Sequence, residues 1–131
     1  MSSSRPPAQR AAAGRDAESL VCGYIENQGM RVETRNFRGG SGEIDIVARD
    51  GDVLAFVEVR FREEGDCGAP EETVTPVKRR RIASAARAYL STISPADWTE
   101  ARFDVAAVEG SGPAAVIRYY RNAFDSKGKI I

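Results

Sequence analysis

The sequence predicts an α/β domain, a central mixed sheet flanked by helices, with its elements in the order αβββαββ. Three observations carry this. Residues 42–62, GEIDIVARDGDVLAFVEVRFR, are two apolar, β-branched runs around Asp50-Gly51, the pattern of a hairpin of buried strands. Apolar residues recur at helical spacing on both sides of it, over 15–28 and again after Thr75-Pro76. Two further short apolar runs, 101–108 and 114–120, follow the second stripe.

Taken in order, residues 1–13 are rich in Ser, Pro, Arg and Ala and hold no large apolar side chain beyond Met1, the composition of a flexible tail. Ala17, Leu20, Val21, Tyr24 and Ile25 then form one helical stripe, with Asp16 in the first turn and Gly29 as the stop. Glu18 lies about 80° from the centre of that stripe, at the edge of the buried face. Met30 to Phe37 reads as a strand ending at Gly39-Gly40-Ser41-Gly42, and the hairpin follows. Residues 63–73, with Gly65, Gly68 and Pro70, read as a polar loop. Thr75-Pro76 combines an N-cap with proline at the first helical position, and Ile82, Ala85, Ala86, Tyr89, Leu90 and Ile93 continue the stripe. The ordered domain is expected over 14–124, with a C-terminal tail at 125–131.

Composition narrows the chemistry. The 131 residues suit one domain, and the 19 acidic and 19 basic side chains exclude a globally basic coat, so any nucleic-acid surface must be local. Histidine is absent, which removes histidine triads, bases and metal ligands together. Cys22 and Cys67 are far apart and lack zinc-like spacing, as expected of free thiols in a reducing cytoplasm. No apolar run reaches about 18 residues and the N-terminus shows no signal-like segment, so a cytoplasmic protein without a membrane partner is expected.

Carboxylates in the hairpin carry the functional argument. Glu43, Asp45 and Glu58 interrupt strands that are otherwise apolar, where an unpaired charge is costly. With Asp50-Gly51 as a two-residue loop, Asp45 faces Phe56, and Glu43, Asp45, Glu58 and Arg60 share a face. Slipping the loop by one residue on each strand pairs Asp45 with Glu58 on that same face, whereas a bulge separates them. In either unbulged register the two Cβ atoms lie roughly 5 to 8 Å apart, a span one divalent ion can bridge. Ion pairing of Glu58 with Arg60, Arg62 or Lys78 is the structural alternative.

Lys78 falls within roughly 40° of Ile82 on the second helix, where its ammonium can reach the sheet edge near Glu58 or simply snorkel. Arg79, Arg80 and Arg81, with Arg87, form a basic run that is either a solvated face or a phosphate contact. Phosphodiester hydrolysis needs a hard cation and a nearby fixed positive charge, and carboxylates with a Lys or Arg supply these without histidine.

Asp45 and Glu58-Val59-Arg60 resemble the PD-(D/E)XK nuclease core. The ordered set of GRDAE at 14–18, GEID at 42–45, FVEVRFR at 56–62, the Gly68/Pro70 loop, Lys78 and RFDV at 102–105 resembles the YraN-type family of small bacterial proteins. The resemblance spans roughly 14–124 and implies a restriction-endonuclease-like fold akin to Holliday-junction resolvases. It implies Asp45 and Glu58 as metal-binding acids for Mg²⁺ or Mn²⁺, with Glu18 as a further ligand, directly or through water. It implies DNA as the partner, branched or single-stranded forms included, and admits a homodimer, since resolvase-like folds often act as dimers. Arg60 stands where that family usually has lysine, and arginine holds phosphate but cannot act as a base. Two readings follow: a metal-dependent nuclease in which Arg60 and Lys78 are the catalytic cations, with Arg62 and Arg79–Arg81 on nucleic acid, or a nuclease-fold protein that binds nucleic acid without cutting it.

Overall fold

The computed structural model describes residues 7–62, 74–110 and 112–131. The expected polar loop at 63–73, and Cys67 with it, lies outside the described residues. The elements are α1 (Pro7–Asn27), β1 (Arg31–Gly39), β2 (Gly42–Asp50), β3 (Val53–Arg62), α2 (Pro76–Leu90), β4 (Glu100–Glu109) and β5 (Val116–Phe124). One five-stranded sheet runs β1-β2-β3-β4-β5 in space. Every neighbouring pair is antiparallel except β3 and β4, whose parallel pairing is allowed by the long crossover through α2. This is the predicted α/β mixed sheet with the predicted element order.

The alternation of side chains along the central strands builds two cores, one on each face. Leu54 and Phe56 of β3 and Phe103 and Val105 of β4 pack with Ile82, Ala83, Ala85 and Ala86 of α2. Ala55, Val57, Ala106 and Val108 pack on the other face with Ala17, Val21, Cys22 and Ile25 of α1. Both faces of β3 are therefore covered, which is why its sequence is a nearly unbroken apolar run.

The helix ends follow local chemistry. Thr75 Oγ1 accepts the Lys78 backbone N–H at 3.2 Å ahead of Pro76, so the start of α2 is where the cap signal puts it. At the end of α1, Gly29 takes φ +86° and Met30 donates its N–H to the Ile25 carbonyl at 3.1 Å, a closure that favours glycine. Leu20, expected in the buried stripe, is 36% exposed, so the buried face of α1 is narrower than its apolar residues suggest.

Two expected tails differ. The backbone of α1 is helical from Pro7, ahead of the expected start at Arg15, so residues 7–13 belong to the helix. The last seven residues fold back on the domain. Ile131 donates its N–H to the Ala123 carbonyl at 3.2 Å, and Arg79 Nε donates to the Gly128 carbonyl at 2.6 Å. Among the described residues no helix is long and apolar enough to cross a membrane.

Candidate active site

The hairpin adopts the slipped register. Asp50 pairs with Val53 and Ile46 with Val57, so the connecting loop is Gly51-Asp52. Gly51 alone takes positive φ, at +65°, and Asp52 does not, as expected of a two-residue loop with glycine first. Continued by one step beyond Ile46 and Val57, this register sets Asp45 across from Glu58. Instead of a further backbone pair, Asp45 Oδ2 accepts the Val59 N–H at 2.8 Å.

The strand is distorted at Asp45. On the other side of β2, Arg35 pairs with Ile46 and Phe37 with Ile44, which leaves Asn36 across from Asp45. Asn36 has φ +54°, a left-handed conformation that asparagine tolerates better than most residues. Ile44 and Val47 both pack on the α2 side while Ile46 and Ala48 pack on the α1 side. Strict alternation forbids that pattern, so β2 turns over at Asp45. Its carboxyl therefore interacts with groups brought from both faces.

From the α2 side comes Lys78, whose Nζ lies 3.0 Å from Glu58 Oε2. The Glu58 side chain is 3% exposed and the Lys78 side chain 47%, so a half-exposed ammonium guards a buried carboxylate. The approach is close but poorly aligned, and Glu58 Oε2 has no hydrogen-bond partner among the described residues. Asp45 is pushed far above its ordinary 3.8, to about 8. Burial is the main cause, followed by its hydrogen bond to Glu58 and the charge of Glu58, against the pull of Val59 N–H and Lys78. Asp45 thus keeps its proton at neutral pH.

From the α1 side comes Glu18. Burial, and then the charge of Asp45, raise its pKa, while Arg35 and Asn36 oppose this. Arg35 Nη2 lies 3.5 Å from Glu18 Oε1. Among the described residues no three His, Cys, Asp or Glu side chains converge closely enough to hold a metal ion. Glu18 interacts with Asp45 through charge.

The remaining expected residues divide. Arg60 is half-buried, and its Nε is buried with no hydrogen-bond partner among the described residues. Arg62 is 8% exposed, which removes it from a nucleic-acid surface. Arg79 is also corrected: it is 8% exposed, donating to Gly128 and, through Nη1, to the Val74 carbonyl. It clamps the C-terminal segment to α2. Its spacing of three and four from Ile82 and Ala83 puts it on the buried stripe, a signal that a run of arginines hides. Arg80 and Arg81 remain exposed. Arg35 and Asn36 were not foreseen, and no sequence pattern marks them beyond the tolerance of asparagine for positive φ.

The raised pKa gives a pH-dependent expectation. Between the unfolded value near 4 and the folded value near 8, the native state holds a proton that the unfolded state has released, so stability falls as pH rises through that window. Asp45→Asn keeps the acceptor for Val59 N–H and removes the charge. Its Tm should exceed that of the parent at pH 8 by about 5 °C, the effect of roughly 1 to 2 kcal/mol, with a smaller gap at pH 5. An equal loss of Tm at both pH values would show that Asp45 is ionised and structural.

A profile of the uncharacterised protein family UPF0102 matches residues 17–108. A UPF0102 protein of Anaeromyxobacter dehalogenans is 41% identical over 121 residues, covering 92% of this chain and 89% of its own. One from Syntrophotalea carbinolica is 42% identical over 120 residues, covering 92% and 97%, and one from Geobacter metallireducens 43% over 112 residues, covering 86% and 91%. The match runs from α1 through β4 and so takes in Glu18, Asp45, Glu58 and Lys78, and the chain belongs to the uncharacterised family UPF0102, the YraN-type group its motifs resemble.

Proposed function

We propose that the protein is a divalent-metal-dependent nuclease acting on DNA phosphodiester bonds, with Asp45 and Glu58 as the metal-binding acids. The observation that carries this reading is the half-buried Asp45 carboxyl set across the hairpin from the buried Glu58, with one Glu58 oxygen lacking a hydrogen-bond donor and a lysine ammonium 3.0 Å away. Two acids set facing each other, one of them buried, are costly to charge together unless a cation joins them. The donor set fits Mg²⁺ or Mn²⁺, which take one or two carboxylates and complete their shell with water and substrate phosphate. When bound, such an ion supplies charge neutralisation at the phosphate and an acidified water.

The chain's own residues do the rest. The Val59 N–H fixes the Asp45 carboxyl, so one ligand is oriented before any ion arrives. Lys78, half in solvent, can leave Glu58 for a phosphate oxygen once the carboxylate has another partner, and its charge then sits beside the attacked phosphorus. Arg60, as an arginine, can hold a phosphate but not act as a base. Glu18 and Arg35 set the field on the α1 side.

Calorimetric titration of Mn²⁺ into the parent and Asp45→Ala tests the site without requiring turnover. Binding should release close to one proton per ion at pH 7, seen as a dependence of the heat on buffer ionisation enthalpy, because Asp45 must ionise. Asp45→Ala should bind at least tenfold more weakly. An unchanged isotherm would remove the assignment. Cleavage of linear, flapped, single-stranded and four-way DNA with Mg²⁺ or Mn²⁺ then tests the activity. The presence of Arg60 at the lysine position favours the second reading, a non-cutting nucleic-acid binder, and that reading prevails if Mn²⁺ binds but neither the parent nor Arg60→Lys cuts any substrate.

A further inference from the structure

A groove of about 840 Å³ runs between the β1–β2 turn and α2 and reaches Asp45 and Lys78. Arg38 from β1 and Arg81 from α2 line it, with the residues of the Gly39–Gly42 turn between them. Its two walls are fastened together. Ser41 donates its N–H to Ser84 Oγ of α2 at 3.1 Å. Gly42 lies so close to α2 that a Cβ there would fall on the Arg81 carbonyl, which only glycine avoids. The groove is therefore preformed, its width set by backbone contact.

The charges along it suit an anion that arrives in repeats. Arg38 is exposed and paired with Glu43 at 3.1 Å, a contact open to exchange. Arg81 is exposed and pairs with no acid among the described residues. Lys78 follows them at the acid pair. The described lining includes no aromatic side chain. Proteins that hold unpaired bases stack them on aromatic rings, whereas contacts to phosphate alone position a strand without reading its sequence.

We infer that this groove holds one strand of base-paired DNA by its phosphodiester backbone, with Arg81 and Arg38 as phosphate contacts that lead the strand to Asp45 and Glu58. The inference rests on the nuclease reading and adds the substrate class: duplex arms, recognised without regard to sequence. It keeps Arg81 of the expected Arg79–Arg81 run and adds Arg38 of β1 across the groove.

Fluorescence anisotropy in EDTA, so that nothing is cut, tests this with two duplexes of unrelated sequence and one of their single strands over a range of salt. The parent should bind both duplexes alike and more tightly than the single strand. Arg81→Ala and Arg38→Ala should each weaken both duplexes equally and reduce the slope of log K against log salt by about one, the signature of one lost phosphate contact. Arg81→Gln should match Arg81→Ala, and Arg87→Ala, exposed on the same helix outside the groove, should match the parent. Mn²⁺ isotherms of all four should equal that of the parent. Unchanged affinity and slope in the Arg38 and Arg81 variants, with Mn²⁺ binding intact, would overturn the groove and leave the acid pair standing. Preference for the single strand, or a loss confined to one sequence, would overturn it too. Groove effects as expected in a parent that binds no Mn²⁺ would retain the groove and remove the metal site.

Discussion

Lys78→Ala is expected to lower cleavage about 10²- to 10³-fold, the usual cost of removing a preorganised charge from a phosphate under attack. The geometry explains why so much rests on one side chain. Thr75 caps α2 and fixes the first turn, and Lys78 on that turn reaches across to Glu58. Its half exposure leaves the ammonium able to exchange the carboxylate for a phosphate. Removing it should also raise the pKa of Asp45 further, because the Lys78 charge pulls that pKa down. The variant should therefore lose little Tm at pH 5, where Asp45 keeps its proton, and more at pH 8. It should still bind Mn²⁺, more weakly. Paired rate and melting measurements at the two pH values separate the roles. Normal cutting by Lys78→Ala would take the residue out of the chemistry, and an equal drop in Tm at both pH values would make it a structural partner alone.

Asp104→Ala should carry the largest stability cost, about 3 to 5 kcal/mol, as expected when one partner of a buried charge network is removed. Asp104 is fully buried in β4 and accepts from Arg102 Nε at 3.0 and 3.1 Å, Tyr119 Oη at 2.6 Å and the Asn122 N–H at 2.9 Å. It sits where the β4–β5 ladder shifts between Phe103 and Val105, and Asn122 across from it has φ +56°. The carboxylate replaces the backbone acceptor that the shifted ladder cannot supply. Burial and the adjacent charge of Asp104 raise the pKa of Tyr119, so the phenol stays a donor. Arg102 in turn donates to Asp50 at the end of β2, which ties β5 and β4 back to the hairpin. Every polar atom of Asp104 is thus used within the fold, so Asp104→Asn should be milder and leave Mn²⁺ binding unchanged. Urea denaturation giving less than about 1 kcal/mol for Asp104→Ala would show that Arg102 finds another partner.

The two aspartates do similar backbone work for different ends. Each stands at a ladder irregularity, takes an N–H from the neighbouring strand and lies near an asparagine in left-handed conformation. Asp104 is fully balanced by an arginine, a phenol and an amide. Asp45 faces another acid and keeps a proton. That imbalance is the physical difference between the two sites, and it is why the proposed function rests on Asp45 rather than Asp104.

Much of this was legible in the sequence because the physics is local. Helical spacing located α1 and α2, the Thr75-Pro76 cap fixed where α2 begins, and β-branched runs around a glycine turn announced the hairpin. The presence of acids in apolar strands pointed to Asp45 and Glu58, and position on the stripe pointed to Lys78. What the sequence left open was the register. Slipping both strands by one residue keeps every side chain on its own face, so the apolar pattern is the same in both arrangements. The choice fell to the turn. With glycine first the loop becomes Gly51-Asp52, and that single step carries Asp45 from Phe56 to Glu58. Contacts between distant segments settled the rest. Gly128 and Val74 drew Arg79 inward, the approach of the β1–β2 turn to α2 made a groove of Arg38 and Arg81, and the turnover of β2 at Asp45 let one carboxyl interact with both faces of the sheet. Apart from Val74, five residues from Arg79, the partners lie tens of residues away, which no window of sequence contains.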